Sequence, residues 1–159
     1  MKIRICPALK TERQLPEVCL LDAMFYGGPT QEAPIIYYFN FPDKKVYAMG
    51  CDFEGGFLVL RGSSAAKCES SKLNSQHKCL RKNLVDSGVL VSKDSLLEFA
   101  RPYSFKNEYE ATGVIAGNNT YRKYSGIWRD QEGRTPLENR LVGITELEAK
   151  YIQCEKQLP

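Results

Sequence analysis

The feature that most constrains the fold is a run of β-forming residues between positions 35 and 62. Residues 35–41 (Ile-Ile-Tyr-Tyr-Phe-Asn-Phe) end at Pro42 and Asp43, which favour a turn. Residues 45–53 and 57–61 predict two further strands, separated by the flexible sequence Glu-Gly-Gly at 54–56. Three successive strands joined by short turns predict an antiparallel meander.

Helical patterns follow the meander. Residues 78–87 predict an amphipathic basic helix that stops at Gly88. Its apolar side is formed by Leu80, Leu84 and Val85, and its cationic side by Lys78, Arg81 and Lys82. Residues 107–116 predict a second helix ended by Gly117, and residues 145–153 a C-terminal helix. With further strands of the same sheet near Leu96 and Ile127, the predicted fold class is α+β, an antiparallel sheet with a three-stranded meander and two to four helices.

The chain length of 159 residues and the hydrophobic content of 43% fit one compact domain. We expect residues 1–34 to be an N-terminal elaboration with a short strand at 2–6 and a helix at 17–26. Residues 35–144 form the predicted α+β core domain, and residues 145–159 the C-terminal helix.

Composition argues against a membrane protein or a metalloprotein. No apolar run approaches the roughly 20 residues that a membrane-spanning helix needs, and no signal peptide is recognisable, so we expect a cytoplasmic protein. The six cysteines include no Cys-x-x-Cys pair, so free thiols and no metal or other cofactor are expected. The cluster most worth testing as a metal site is Cys68, His77 and Cys79, although His77 alone has the character of an ordinary surface residue.

No catalytic motif is present, so we expect no enzyme. The glycines form neither a phosphate-binding loop nor a dinucleotide-binding fingerprint, and the acidic residues form no evident pair. Ser63 and Ser64 lack the glycine-flanked context of a nucleophile and a second histidine to serve as base. We expect them to end a strand and to cap a helix.

The charge distribution favours an anionic partner. Residues 61–140 contain 14 Lys and Arg against 9 Asp and Glu, a balance of +5 within a chain of net charge +3. A glycine-bounded loop then combines cations with aromatic rings that can stack on bases. The predicted nucleic-acid-binding residues are Lys78, Arg81, Lys82, Tyr121, Arg122, Lys123, Tyr124 and Arg129. The alternative is a plain surface loop whose Trp128 packs on the core.

Several short segments resemble a family. Gly-Phe-Leu-Val-Leu-Arg-Gly-Ser at 56–63 is similar to the Gly-Phe-Val-Val-Leu-Lys-Gly-Ser opening of a small bacterial domain of unknown function. Residues 84–90, 97–105 and 117–137 resemble its later segments in the same order, so that the likeness covers about residues 47–137. Lys-Asn-Glu at 106–108 replaces the Ser-Pro-Ser of that family, so no role is carried over to those positions.

The resemblance implies work near DNA, because that domain often follows a GIY-YIG nuclease domain or accompanies restriction-modification genes. The nuclease half is missing here, and no hydrolysis is implied. Two hypotheses follow. The chain is a non-catalytic nucleic-acid-binding accessory module of a restriction or defence system, or it is a protein-interaction module that docks on or inhibits a restriction or defence enzyme.

Overall fold

The computed structural model describes residues 34–119 and 127–155, and for residues 147–155 only the backbone. The strands are β1 (Tyr37–Phe41), β2 (Val46–Phe53), β3 (Gly56–Val59), β4 (Ser64–Ala66), β5 (Leu90–Lys93), β6 (Leu96–Phe99) and β7 (Tyr103–Phe105). The helices are α1 (Ser75–Asp86), α2 (Glu108–Ala116) and α3 (Pro136–Glu155). The α+β class is confirmed, whereas the strand and helix predicted at 2–6 and 17–26 lie outside the described residues.

The predicted meander is present. Strands β1, β2 and β3 pair antiparallel in sequence order, and β7 adds a fourth strand beside β3. The β2–β3 hairpin turns on Glu54 and Gly55, whose φ angles of 47° and 76° are both positive. Two positive φ angles match the right-handed twist of the paired strands, which explains the glycine in this turn.

The later strands depart from the prediction. The strand near Leu96 is β6, which lies in a separate three-stranded sheet of order β4-β6-β5 rather than in the first sheet. In the described residues from Ile127 onwards there is a single bridge between Tyr38 and Arg129 in place of the predicted strand. Both errors have one cause, because the β-forming character of a short segment does not say which strand it pairs with.

Ser63 and Ser64 have a role other than the predicted one. The Ser63 hydroxyl accepts a hydrogen bond from the Met49 N–H (3.0 Å) and donates one to the Met49 carbonyl (3.3 Å). The Ser64 hydroxyl does the same for the N–H (2.9 Å) and carbonyl (3.0 Å) of Tyr47. The two side chains therefore extend the pairing of β2 beyond the end of β3, and Ser64 opens β4 instead of capping a helix.

The first two helices lie close to their predicted positions. Helix α1 starts at Ser75, three residues before the predicted start at Lys78, because the Asn74 side chain accepts the Gln76 N–H and caps it. Asn107 caps α2 in the same way, and Gly117 ends it with φ of 64°.

The third helix starts earlier than predicted, at Pro136 rather than at Thr145. The Thr135 N–H donates to the Glu138 carboxylate (2.6 Å), and the Glu138 N–H donates back to the Thr135 hydroxyl (3.2 Å). This reciprocal pair is a capping box, and Pro136 occupies the first helical position, where a missing N–H costs nothing.

The two faces of the first sheet are covered differently. Helix α2 packs across the inner face, where the Phe57 and Trp128 rings meet at 4.7 Å and the Trp128 indole donates to the Thr112 hydroxyl (2.8 Å). The outer face carries a second apolar cluster built on Met49, Cys51, Leu58 and Leu60. Both faces are therefore apolar, because successive residues of a strand point to opposite faces and these strands carry apolar residues at successive positions.

Candidate nucleic-acid interface

Helix α1 separates the three cations that were predicted to share one exposed strip. Lys82 is exposed, and Lys78 is half-buried with its ammonium 3.0 Å from the Ser71 carbonyl. Arg81 is only 2% exposed and lies on the same side as Leu84, three residues on. The prediction that Arg81 lines an exposed strip is therefore wrong, because this helix buries its guanidinium.

Arg81 instead joins three parts of the domain. Its guanidinium donates to the carbonyl of Ala66 in β4 (2.6 Å) and to the carbonyl of Val114 in α2. The Glu69 carboxylate accepts the third hydrogen bond at 2.9 Å. Val114 belongs to the last turn of α2, where unpaired carbonyls and the helix dipole favour a positive charge.

A groove of about 480 Å³ opens beside this buried arginine. Its charged lining consists of Lys67, Glu69, Lys78, Arg81, Lys82 and Asp86. The Lys67 ammonium is held by the Ser92 hydroxyl (2.8 Å) and the Asp94 carbonyl (3.2 Å), whereas the Lys82 side chain makes no hydrogen bond or ion pair with the described residues. Four cations against two carboxylates leave the groove with a positive balance that suits an anionic chain.

The predicted loop residues Tyr121, Arg122, Lys123 and Tyr124 lie outside the described residues. The residue at the root of that loop is described. Asn119 accepts a hydrogen bond from the Asn74 N–H at 2.8 Å, and its amide donates to the Lys72 carbonyl. The chain therefore enters the loop beside the N-terminus of α1.

Arg129 occupies another part of the surface. Its backbone pairs with Tyr38 of β1, and its guanidinium donates to the Gly133 carbonyl (2.7 Å) and lies 3.8 Å from the Glu138 carboxylate. Helix α1 packs instead on α2 and β5. The structure therefore does not bring Arg129 together with Lys78 and Lys82, and neighbouring Trp128 belongs to the core.

The cysteines and the histidine show no metal-binding arrangement in the described part of the chain. No three His, Cys, Asp or Glu side chains there are placed to hold a metal ion. Cys68 and Cys79 are exposed free thiols. His77 is half-buried rather than an ordinary surface residue, since its ring lies over Gly113 where α1 meets α2. Burial lowers the pKa of His77, and the nearby Glu110 opposes that effect in part.

Comparison with known families gives a match over most of the described residues. The model of one family, a domain of unknown function designated DUF4357, matches residues 37–139. The chain belongs to the DUF4357 family. Neither curated proteins nor solved structures give a significant match. Among the described residues, no helix has the length and apolar character needed to cross a membrane.

The end of the DUF4357 match contains a polar cluster that the sequence analysis missed. The Asn139 amide donates to the Tyr37 hydroxyl (3.2 Å) and to the buried Asp130 carboxylate (2.8 Å). Burial alone would raise the pKa of Asp130, but hydrogen bonds from Asn139 and from the main chain of Arg134 and Glu132 outweigh it, and the pKa is lowered. The cluster therefore fixes the first turn of α3 against β1.

In this DUF4357 domain, Arg140 also connects α3 to α2. Its guanidinium lies 2.5 Å from the buried Glu108 carboxylate and 3.4 Å from that of Asp52. The pKa of Asp52 is raised, because burial and the nearby Glu108 carboxylate outweigh the opposing effect of Arg140. The sequence signal that could have revealed this site is Thr-Pro-Leu-Glu at 135–138, because a helix starting there places Asn139 and Arg140 in its first turns.

Proposed function

We propose that this DUF4357 domain is a non-catalytic nucleic-acid-binding accessory module, and that it works in a cytoplasmic restriction or defence system. The observation that carries the proposal is the cation-lined groove beside α1, with the root of the aromatic loop tied by Asn119 to the start of the same helix. The resemblance to a domain found beside GIY-YIG nucleases and restriction-modification genes supports the biological setting.

Chain length limits how far the loop cations can lie from Asn119. A fully extended chain advances about 3.3–3.6 Å per residue, so the backbone of Arg122 lies within about 10 Å of Asn119. Helix α1 has no acidic residue in its first turn, and the exposed Lys72 lies just before it. Phosphate groups are attracted to such a helix end, while the loop tyrosines can stack on bases.

The test is fluorescence anisotropy with labelled single- and double-stranded DNA and RNA at two salt concentrations. Replacing Lys78 and Lys82 together by Gln should lower the salt slope by about 1.4 for single strands and about 1.8 for duplex DNA, the loss of two phosphate contacts. Lys106→Gln is the control, because this exposed lysine precedes α2 at the end opposite the loop root.

Stacking is tested separately. Tyr121→Ala or Tyr124→Ala should weaken single-strand binding by about 1–3 kcal/mol and leave the salt slope unchanged. Arg81 is unsuitable for either measurement, since its replacement perturbs the fold. Absence of binding near 50 mM salt, or an equal effect of Lys106→Gln, contradicts the proposal.

A second candidate rests on the exposed side of α3. Leu137, Leu141 and Ile144 are spaced as one helical stripe and are 51–54% exposed. Such a stripe fits a protein-interaction module that docks on or inhibits a restriction or defence enzyme. Leu141→Asp with Ile144→Asp should abolish that docking in a titration against a restriction enzyme that binds the wild-type chain. Affinity for such a partner would fall less with salt than affinity for nucleic acid.

A further inference from the structure

An apolar side chain lies among the cations that line the groove beside α1. Val85 is 45% exposed, and it follows Lys78 by seven residues and Lys82 by three. Residues with this spacing share one side of a helix, so the three side chains line the groove together. Leu97 of β6, which is 8% exposed, also lines it. We call Val85 and Leu97 the apolar wall of the groove.

A lysine from the second sheet is held beside this wall. Lys67 directly follows β4, and its ammonium donates to the hydroxyl of Ser92 in β5 (2.8 Å). Ser92 is the register partner of Leu97 on β6, the strand that lies between β4 and β5. The Lys67 side chain therefore crosses β6 close to the apolar wall, and its hydrogen bond fixes the position of the charge.

The charge around the apolar wall is positive. Arg81 and Glu69 neutralise each other, since the guanidinium lies 2.9 Å from the carboxylate. Asp86 is the other carboxylate of the lining, and three ammonium groups stand against it. These three belong to Lys67, Lys78 and Lys82. An apolar wall flanked by ammonium groups matches a ligand that alternates phosphates with flat apolar faces, which is the covalent pattern of a nucleic-acid strand.

Building on the nucleic-acid-binding function described above, we propose that this groove takes single-stranded rather than duplex nucleic acid. An unstacked base lies against the apolar wall, and its flanking phosphates lie on the three lysines. The groove volume of about 480 Å³ falls within the range of about 300–1,000 Å³ that is typical of small-molecule sites, so the groove has room for a nucleotide.

A duplex would use the same groove poorly. Its bases are paired and stacked inside, so it would bring phosphates and sugars to the apolar wall. Burial of an ionised phosphate against aliphatic groups is unfavourable, and extrusion of a base from a duplex breaks a base pair as well as stacking. A single strand has no pair to break. The face of a base is present in DNA and RNA alike, so single strands of both kinds fit the groove.

Val85→Thr tests the base contact, because it keeps the β-branched shape of an exposed side chain and replaces a methyl group by a hydroxyl. Fluorescence anisotropy at about 50 mM salt compares three labelled ligands of equal length: a single strand of DNA or RNA, a duplex, and an abasic sugar-phosphate strand. Val85→Thr should weaken binding of the base-bearing single strand about three- to fivefold and leave the other two affinities unchanged. Val85→Phe should strengthen single-strand binding about fivefold or more.

Val91→Thr is the matched control. Val91 is 38% exposed, but it directly precedes Ser92 on β5, so its side chain points to the face of the second sheet opposite to that of Leu97. This variant should change none of the three affinities. The control is needed because the loop tyrosines can also stack on bases, so that a preference of the wild-type chain for single strands does not by itself locate the base.

The outcomes separate this inference from the function on which it rests. Single-strand binding that is unchanged in Val85→Thr, or equally weakened in Val91→Thr, overturns the inference. Duplex binding as tight as single-strand binding also overturns it, and a lower salt slope in the Lys78 and Lys82 double variant would then still support nucleic-acid binding. Absence of binding by all three ligands overturns both.

A measurement on the wild-type chain needs no variant. In the complex with a saturating single strand, NOEs should join the Val85 methyl groups to protons of a base. NOEs from these methyl groups to sugar protons alone, or no NOE to the strand, would refute the base contact.

Discussion

The buried Arg81 guanidinium should be among the most sensitive side chains in the domain. Arg81→Met keeps most of the side-chain volume but removes the donors to Ala66 and Val114. A buried carbonyl that loses its partner costs about 1–3 kcal/mol, so two give about 2–6 kcal/mol. The pair with Glu69 adds little, because that carboxylate is 38% exposed and water can solvate it. We therefore expect a loss of about 3 kcal/mol.

The assay is urea unfolding followed by the emission of Trp128. With a slope of about 1.5 kcal/mol per molar urea, the midpoint of Arg81→Met should fall by about 2 M. The midpoint of Arg81→Lys should fall by less, because an ammonium can still reach one of the two carbonyls. Lys82→Met is the matched control on the adjacent exposed position and should shift stability by no more than about 0.5 kcal/mol. An Arg81→Met variant as stable as that control would refute the reasoning.

Three further predictions concern packing, protonation and capping. Gly113→Ala should destabilise the protein by about 1 kcal/mol, because the added Cβ would lie closer than 3.0 Å to the His77 ring. In a His77→Ala background the same change should stabilise the protein, because alanine favours a helix more than glycine does. Urea midpoints measure both effects. His77 is the single histidine, and its pKa is lowered by burial. The unfolded chain therefore binds this proton more readily, stability should fall as the pH drops from 7.5 through about 6.5, and His77→Gln should flatten that fall. Thr135→Ala should lower the free energy of unfolding by about 1 kcal/mol and reduce the helical circular dichroism signal, because it removes the cap of α3. The hydrogen bond from the Thr135 N–H lowers the pKa of Glu138, so Glu138 contributes stability that is lost as the pH falls through its folded pKa.

Local signals in the sequence were sufficient for most elements. The meander, α1 and α2 are marked by turn residues and by a glycine such as Gly117, whose effect depends only on neighbours in the chain. Strands β4 and β7 have three residues each and are defined by pairing with distant segments. The four-residue β5 pairs with the neighbouring β6 across a two-residue turn. The start of α3 also had a local signal, in Thr135 and Glu138, which is stronger than the signal at Thr145 on which the predicted start rests.

The site was harder to predict because side-chain partners are distant in sequence. The pattern of α1 predicted that Val85 is buried and Arg81 exposed, whereas Val85 is 45% exposed and Arg81 is buried. A guanidinium can be buried only where fixed acceptors meet it, and those acceptors, Ala66 and Val114, are 15 and 33 residues away. Asn119 is similar, since its contact with Asn74 spans 45 residues.

The serine pair beside β2 has a consequence for how the molecule behaves at high concentration. Where β3 has ended, the N–H and carbonyl of Tyr47 and the N–H of Met49 would otherwise be available to a strand from another chain, whereas the Met49 carbonyl also accepts the Leu60 N–H at 2.9 Å. The hydroxyls of Ser63 and Ser64 occupy those groups from within the same molecule. Hydroxyl side chains thus guard this strand against intermolecular pairing, and they do so without a bulge, a proline or a charge.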